Sequence, residues 1–274
     1  QPARPEPPRG VPAGPGRTAR GRARRAAGGR GRVHQPERVR ARDADVAAEE
    51  ILVPAEGVEF YVFAGPKPLD AVRRYNLLNG GGVLPPRWGL GFTQRVKTLF
   101  TSKDVEDEAK AFQDKGFPLD FIGLEPGWQS RAYPCTFEWD TKRYPEPAAF
   151  VKEMLGKGIR LNLWTNPYVS PEASIYKPIK PYTADHTVWV GAVPDLTMPE
   201  ARDIFFGQLK KSQVDIGISG YKFDEVDGYD HYLWPDVTIF PSGKSAEQLR
   251  QTYGLLIQRY SAALYHERNQ RTYG

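Results

Sequence analysis

Residues 117–128 read FPLDFIGLEPGW, a short apolar run, Leu119–Leu124, closed at once by a carboxylate, a Pro-Gly turn and a tryptophan. Its length, and the turn residues behind it, predict a buried strand rather than a helix. Working outward, a helix is predicted upstream from Ser102 as its cap. Val105, Ala109 and Phe112 form its apolar face, Asp104 and Glu106 favour its positive end, and Gly116 stops it. Trp88–Phe92 reads as the strand before that helix. Downstream, Pro147–Leu155 begins a helix and Ile159–Trp164 (IRLNLW) repeats the strand. After an excursion over Ser170–Thr197, Glu200–Lys211 is helical, with Ile204, Phe205 and Leu209 on one side. Tyr221–Val226 is then the fourth strand, and Ser245–Arg268 is a long helix with Leu249, Leu255, Leu256, Tyr260 and Leu264 at helical intervals. Short apolar runs alternating with longer amphipathic ones are the pattern of βα units around a parallel sheet. The fold class is α/β: a partial (β/α)8 TIM barrel over residues 83–274, or an open doubly wound sheet, which shares the pattern. Gly80–Gly82 precede a strand instead of joining a strand to a helix, so they do not make a phosphate loop.

Both ends of the chain differ from this middle. Residues 1–50 hold 12 Arg, no Lys and 6 Asp plus Glu, a charge of +6, so the chain's +5 leaves −1 for residues 51–274. The basic character therefore belongs to a leader rich in Arg, Ala, Pro and Gly that cannot bury enough apolar area to offset its ordering entropy. Disorder is expected there. Arg without Lys in such a mixture is what GC-rich DNA gives when read out of frame, and the chain begins with Gln1, so a spurious leader on a fragment is expected. The first aromatic residue is Phe60, which confines any nucleic-acid reading to the leader, and no nucleic acid is expected as a partner. Gly57–Gly65 (GVEFYVFAG) reads as a strand, a helix follows over Leu69–Leu78, and Gly80–Gly82 with Pro85 and Pro86 mark a junction. Gly274 comes just after the long helical pattern, where an α/β chain is expected to add another strand. No apolar run reaches the ~20 residues that span a bilayer. The single cysteine, Cys135, excludes an internal disulfide and offers no zinc spacing.

In a barrel the chemistry gathers where strands end. Here the second ends in Glu125-Pro126-Gly127-Trp128, the third in Trp164-Thr165-Asn166, and the fourth carries Lys222-Phe223-Asp224-Glu225-Val226-Asp227. Carboxylates beside tryptophans suit a sugar, the acids for bond chemistry and an indole face for the apolar side of a pyranose. Lys222, two residues before Asp224 on a strand, is expected on the same face, binding a hydroxyl and keeping Asp224 ionised. Glu225 is expected to face away as an ion-pair partner in the barrel wall. Asp227–Asp230 lacks the alternating ligands of a calcium loop and reads as a turn, and the scattered histidines give no metal site. About half of Trp128, Trp139, Trp164, Trp189 and Trp234 are expected to be core. Alone, Asp224 also reads as a strand-end carboxylate bonded to a turn.

Several linked segments over about 200 residues resemble glycoside hydrolase family 31. Gly65–Phe92 is similar to the family's passage from an N-terminal β-sandwich into its barrel, and Phe117–Trp128 to its second strand. FEWDTKRYPEP (137–147) is similar to the segment that follows, and SGYKFDEVD (219–227) to the motif whose central Asp is the nucleophile. After the disordered or spurious leader that composition marks (1–50), the resemblance implies the end of a sandwich with a linker helix (51–82) and the first half of the catalytic barrel (83–274). It implies a retaining α-glycosidase with no cofactor and no metal, acting on the non-reducing end of an α-linked oligosaccharide or glycoside. Asp224 is then the nucleophile, with Lys222, Glu125, Trp128, Trp164, Asn166 and Asp227 shaping the substrate pocket. Asp227 stands where the family often has Glu, and Glu125 where it often has Asp. Lys222 looks closer to the family's xylosidase and galactosidase branch than to its α-glucosidases. The family's acid/base Asp would lie beyond Gly274, so the chain alone is expected to be inactive. A carbohydrate-binding, non-catalytic relative stays open.

Overall fold

The structure is a computed structural model describing residues 37–40, 50–53, 59–226 and 234–273. It divides into two units, residues 1–81 and 82–274, taken here one at a time.

In the first unit β1 (Glu37–Arg40) pairs antiparallel with β2 (Glu50–Val53), Val39 opposite Ile51. Disorder was expected through residue 50, and this ladder corrects it locally: its hydrogen bonds come from the backbone and do not require an apolar composition. Most of the leader lies outside the described residues. The strand expected over Gly57–Gly65 does not form at residues 59–65. That segment pairs with no strand, and Phe60, Tyr61 and Val62 are exposed. Helix α1 (Pro68–Leu78) does form, with Pro at its first turn and the Asp70 carboxylate accepting from the Lys67 amide at 3.2 Å.

In the second unit a four-stranded parallel sheet runs β3 (Thr93–Arg95), β4 (Phe121–Leu124), β5 (Arg160–Thr165) and then β8 (Gly220–Phe223). The strands lie side by side in chain order with no reversal, the winding of a barrel rather than of a doubly wound sheet. Ile122, Leu124, Leu161 and Leu163 are buried, as continuous apolar runs require when both faces of a sheet are covered. The cover comes from α2 (Ser102–Asp114), α3 (Pro147–Gly156), α5 (Pro199–Ser212) and α6 (Ala246–His266), whose Val105, Met154, Phe205 and Ile257 join the same core.

Several expectations shift. The first strand begins at Thr93 rather than Trp88, because Arg87–Leu90 coil into a 3-10 turn that stacks Trp88 edge-on against Phe121. Thr101, not Ser102, caps α2: its hydroxyl accepts from the Asp104 amide at 3.2 Å while Asp104 accepts from the Thr101 amide at 2.8 Å. The excursion after β5 holds a short helix, α4 (Tyr176–Ile179), and an antiparallel hairpin, β6 (Thr183–Val188) with β7 (Gly191–Pro194). Trp189 and Val190 make its two-residue turn at φ 49° and 61°, the left-handed pair that matches strand twist. Along α6 the buried face is Leu249, Tyr253, Ile257 and Leu264, whereas Leu255 is exposed. β8 ends at Phe223, three residues short of the expected Val226. Among the described residues no helix is long and apolar enough to cross a membrane.

Two glycines test the packing in opposite directions. A Cβ on Gly127, in the loop after β4, would overlap the Thr98 carbonyl oxygen, so Gly127→Ala is expected to destabilise by about 1–3 kcal/mol. Gly207 sits exposed within α5 with nothing near its missing side chain, and Gly207→Ala is expected to stabilise by about 0.5–1 kcal/mol. Denaturant midpoints of the two variants check both signs.

Candidate active site

The register of two neighbouring strands builds the site. Trp164 on β5 and Lys222 on β8 are ladder partners, so their side chains leave the sheet on the same face. Asp224 follows two residues later, its amide still donating to the Thr165 carbonyl at 2.9 Å although β8 has ended. Its carboxylate collects three donors: the Trp164 indole Nε1–H at 2.7 Å and the Lys222 ammonium at 3.0 Å on Oδ2, and the Glu225 amide at 3.2 Å on Oδ1. Partial burial works against its ionisation, but the Trp164 and Lys222 hydrogen bonds, the Lys222 charge and the Glu225 amide together hold it below the usual carboxylate range. Lys222 thus lies where the strand geometry put it.

Glu225 does not. It was expected in the barrel wall as an ion-pair partner, but it turns back beneath the site with its backbone at φ 55°. β8 has ended two residues before, at Phe223, and the left-handed turn redirects the side chain that strand alternation would have sent outward. Neutral groups hold it: the Tyr133 hydroxyl donates to Oε1 at 3.3 Å and the Asn166 amide to Oε2 at 3.4 Å, while the Tyr168 hydroxyl donates to the Glu225 carbonyl at 2.7 Å. Burial first, and the Asp224 charge second, push its carboxyl up to about 7.

Above Asp224 opens a cavity of about 570 Å³ at the C-terminal ends of the strands, lined by Glu125, Tyr133, Trp164, Lys222 and Asp224 among others. Of the sequence candidates, Glu125, Trp164, Lys222 and Asp224 meet here. Trp128 and Asn166 do not line it. Trp128 is fully buried, its indole donating to the Trp164 carbonyl at 2.7 Å, and Asn166 is fully buried beside Glu225, its Oδ1 accepting from the Tyr168 amide at 3.2 Å. Both support the wall from behind because the loops after their strands turn inward. Asp227, and with it the whole expected Asp227–Asp230 turn, lies outside the described residues. Sequence reasoning missed two residues. Arg95, at the end of β3, ion-pairs with Glu125, and the available signal was Gly123 in the middle of β4, whose missing side chain leaves room for that guanidinium. Tyr133 packs its ring 5.2 Å from Trp164 and 5.1 Å from Trp189, and nothing in its loop sequence marked it. Among the described residues no three His, Cys, Asp or Glu side chains converge as a metal site would require.

Residues 82–273 match the model of the glycosyl hydrolases family 31 TIM-barrel domain. The chain belongs to glycoside hydrolase family 31. This family 31 chain is 27% identical over 224 residues to the α-xylosidase XylQ of Lactiplantibacillus pentosus, covering 77% of this chain and 28% of that protein. It is 30% identical over 237 residues to α-glucosidase 2 of Bacillus thermoamyloliquefaciens, covering 78% and 30%. Both relatives are glycoside hydrolases, and the chain spans about three tenths of their length. Among solved structures, a family 31 α-xylosidase from a soil metagenome, complexed with xylose, aligns with TM-score 0.60 at 21% identity over 69% of this chain and 30% of its own. A Flavobacterium johnsoniae family 31 dextranase mutant complexed with isomaltotriose gives 0.64 at 19% identity over 76% and 28%. These two likenesses concern the fold.

The raised Glu225 carboxyl has a consequence for stability. Its folded value lies above the ordinary 4.5, so the folded state holds the proton more tightly than the unfolded chain does. Its contribution is full below about pH 4.5 and is lost as pH rises through about 7. Denaturant midpoints measured from pH 5 to pH 8 are expected to fall more steeply in the parent than in Glu225→Gln, which cannot ionise.

Proposed function

We propose that Asp224 is the nucleophile of a retaining α-glycosidase that cleaves at the non-reducing end of α-linked glycosides. The observation that carries this reading is the state of the Asp224 carboxylate: depressed in pKa, fixed at both oxygens and facing a cavity beside an indole and a lysine. Such a group is ionised and oriented at neutral pH. Its attack on the anomeric carbon forms a glycosyl ester as the leaving oxygen departs, and water later cleaves that ester with net retention. Lys222 and Glu125 are placed to bind sugar hydroxyls, and Trp164 to border the ring. The relatives' names, α-xylosidase and α-glucosidase, support an α-xyloside or α-glucoside as the substrate class, and Lys222 favours the family's xylosidase and galactosidase branch.

Retention requires a second carboxyl about 5 Å away that protonates the leaving oxygen. The other acid lining the cavity, Glu125, is held in an ion pair by Arg95. Glu225 is not among the lining residues. Among the described residues, neither of these two acids is in place for that role. In this reading residues 1–50 are a leader, 51–82 the end of a sandwich with its linker helix, and 83–274 the first part of the barrel.

The test uses aryl α-xylosides and α-glucosides with this chain and with the product of the whole reading frame that contains it. The longer product is expected to release the phenol, and Asp224→Asn to lower kcat on the order of 10³-fold or more, with azide restoring turnover as a glycosyl azide. Undiminished turnover in Asp224→Asn would contradict the assignment. An inactive product that still binds sugar would favour the non-catalytic reading.

A further inference from the structure

Glu225 combines two costs that the reaction above leaves unexplained. A non-glycine residue at φ 55° is strained relative to right-handed backbone, and a glycine there would avoid the strain. Its carboxyl is also drawn out of water against Tyr133 and Asn166, with no ion pair among the described residues and the Lys222 charge offsetting the burial only in part. The amide of the same residue donates to Asp224 Oδ1 at 3.2 Å.

We infer that Glu225 is a positioning residue for the nucleophile: side-chain contacts to Tyr133 and Asn166, and the Tyr168 hydroxyl on its carbonyl, hold residue 225 in place, so that the peptide joining it to Asp224 keeps its N–H on the Asp224 carboxylate. This rests on the reading of Asp224 as nucleophile. On the other side of that peptide the Asp224 amide donates to the Thr165 carbonyl at 2.9 Å, and this two-sided hold fixes the plane that carries the N–H. With it, Oδ1 is held from the backbone and Oδ2 from Trp164 and Lys222, so the carboxylate plane cannot rotate. The anchor comes from two other segments. Tyr133 lies in the loop after β4, and Asn166 and Tyr168 follow β5, so the nucleophile's orientation depends on three barrel units rather than on its own strand. Asn166, which does not line the cavity, gains a role here: its Oδ1 accepts from the Tyr168 amide and from Cys135 Sγ, which fixes its Nδ2 toward Glu225.

Among the described residues, the charged and titratable groups around Glu225 are Asp224, Lys222, Tyr133, Tyr168 and the buried Cys135 thiol. Asp224 titrates in a range where Glu225, with its carboxyl near 7, is uncharged. Replacing Glu225 by Gln therefore changes little charge there and keeps an anchoring oxygen, whereas Ala removes the anchor.

The test reads Asp224 through its neighbour. The Trp164 indole N–H, assigned by its loss in Trp164→Phe, is followed in ¹H–¹⁵N spectra from pH 8 downward in the parent, Glu225→Gln, Glu225→Ala and Tyr168→Phe. The parent and Glu225→Gln are expected to share a low midpoint. Glu225→Ala is expected to raise it by roughly 0.5 unit or more, the effect of one lost N–H bond on a carboxylate, and Tyr168→Phe to raise it less. A Glu225→Ala midpoint within about 0.2 unit of the parent, or an equal rise in Glu225→Gln, would overturn the inference. If Glu225→Ala does not fold, Tyr168→Phe decides by the same criterion. The readout involves no turnover: full activity in Asp224→Asn would remove the nucleophile and leave the anchor standing, while a flat midpoint would remove the anchor and leave the nucleophile.

Discussion

The site depends on the parallel register that sets Trp164 opposite Lys222 across β5 and β8. A slip of β8 by one residue would send Lys222 and Asp224 to the other face together and take the Asp224 carboxylate away from the Trp164 indole. The register is in turn held by burial. Leu161 and Leu163 on β5 and Tyr221 on β8 are buried in the core, and they can be so only in this alignment. An electrostatic arrangement at the rim thus inherits its accuracy from apolar packing several residues below it.

Around that pair the site is layered. Asp224, Lys222, Trp164 and Glu125 reach the cavity, while behind them Trp128 supports Trp164 through its backbone carbonyl and Asn166 supports Glu225. Arg95 fixes Glu125 from β3. Every strand of the sheet therefore contributes either a cavity-lining group or the group that steadies one, which is the arrangement that lets a barrel hold opposite charges close together without collapse of one onto another.

Much of this was legible in the sequence, for identifiable reasons. The apolar runs around Ile122, Leu161 and Tyr221 are short and bounded by turns, so the strands stood out, and the spacing of Lys222 and Asp224 fixed their common face through strand alternation alone. The helices were equally plain wherever an apolar face recurred. What was not legible depended on where the chain leaves regular geometry. The 3-10 turn at Arg87–Leu90 has the same apolar composition as a strand. Alternation sent Glu225 outward, but the strand ends at Phe223 and a left-handed residue reverses the direction. Trp128 and Asn166 have the right residue types at the right strand ends, and only the inward path of their loops places them behind the wall. Tyr133 is brought to the site by contacts with Trp164 and Trp189, distant in sequence, which no local pattern encodes.

The most direct measurement of the central claim is covalent trapping. An α-glycosyl fluoride carrying a second, ring fluorine loses fluoride without a proton from any acid, so Asp224 can form the ester even where the acid/base is absent; the ring fluorine then slows hydrolysis of that ester. The chain incubated with xylo-, gluco- and galacto-configured reagents would be digested and its peptides weighed. The account expects one glycosyl group on the peptide containing Asp224, with none in Asp224→Asn. A label on another residue, or an unlabelled parent, would contradict it.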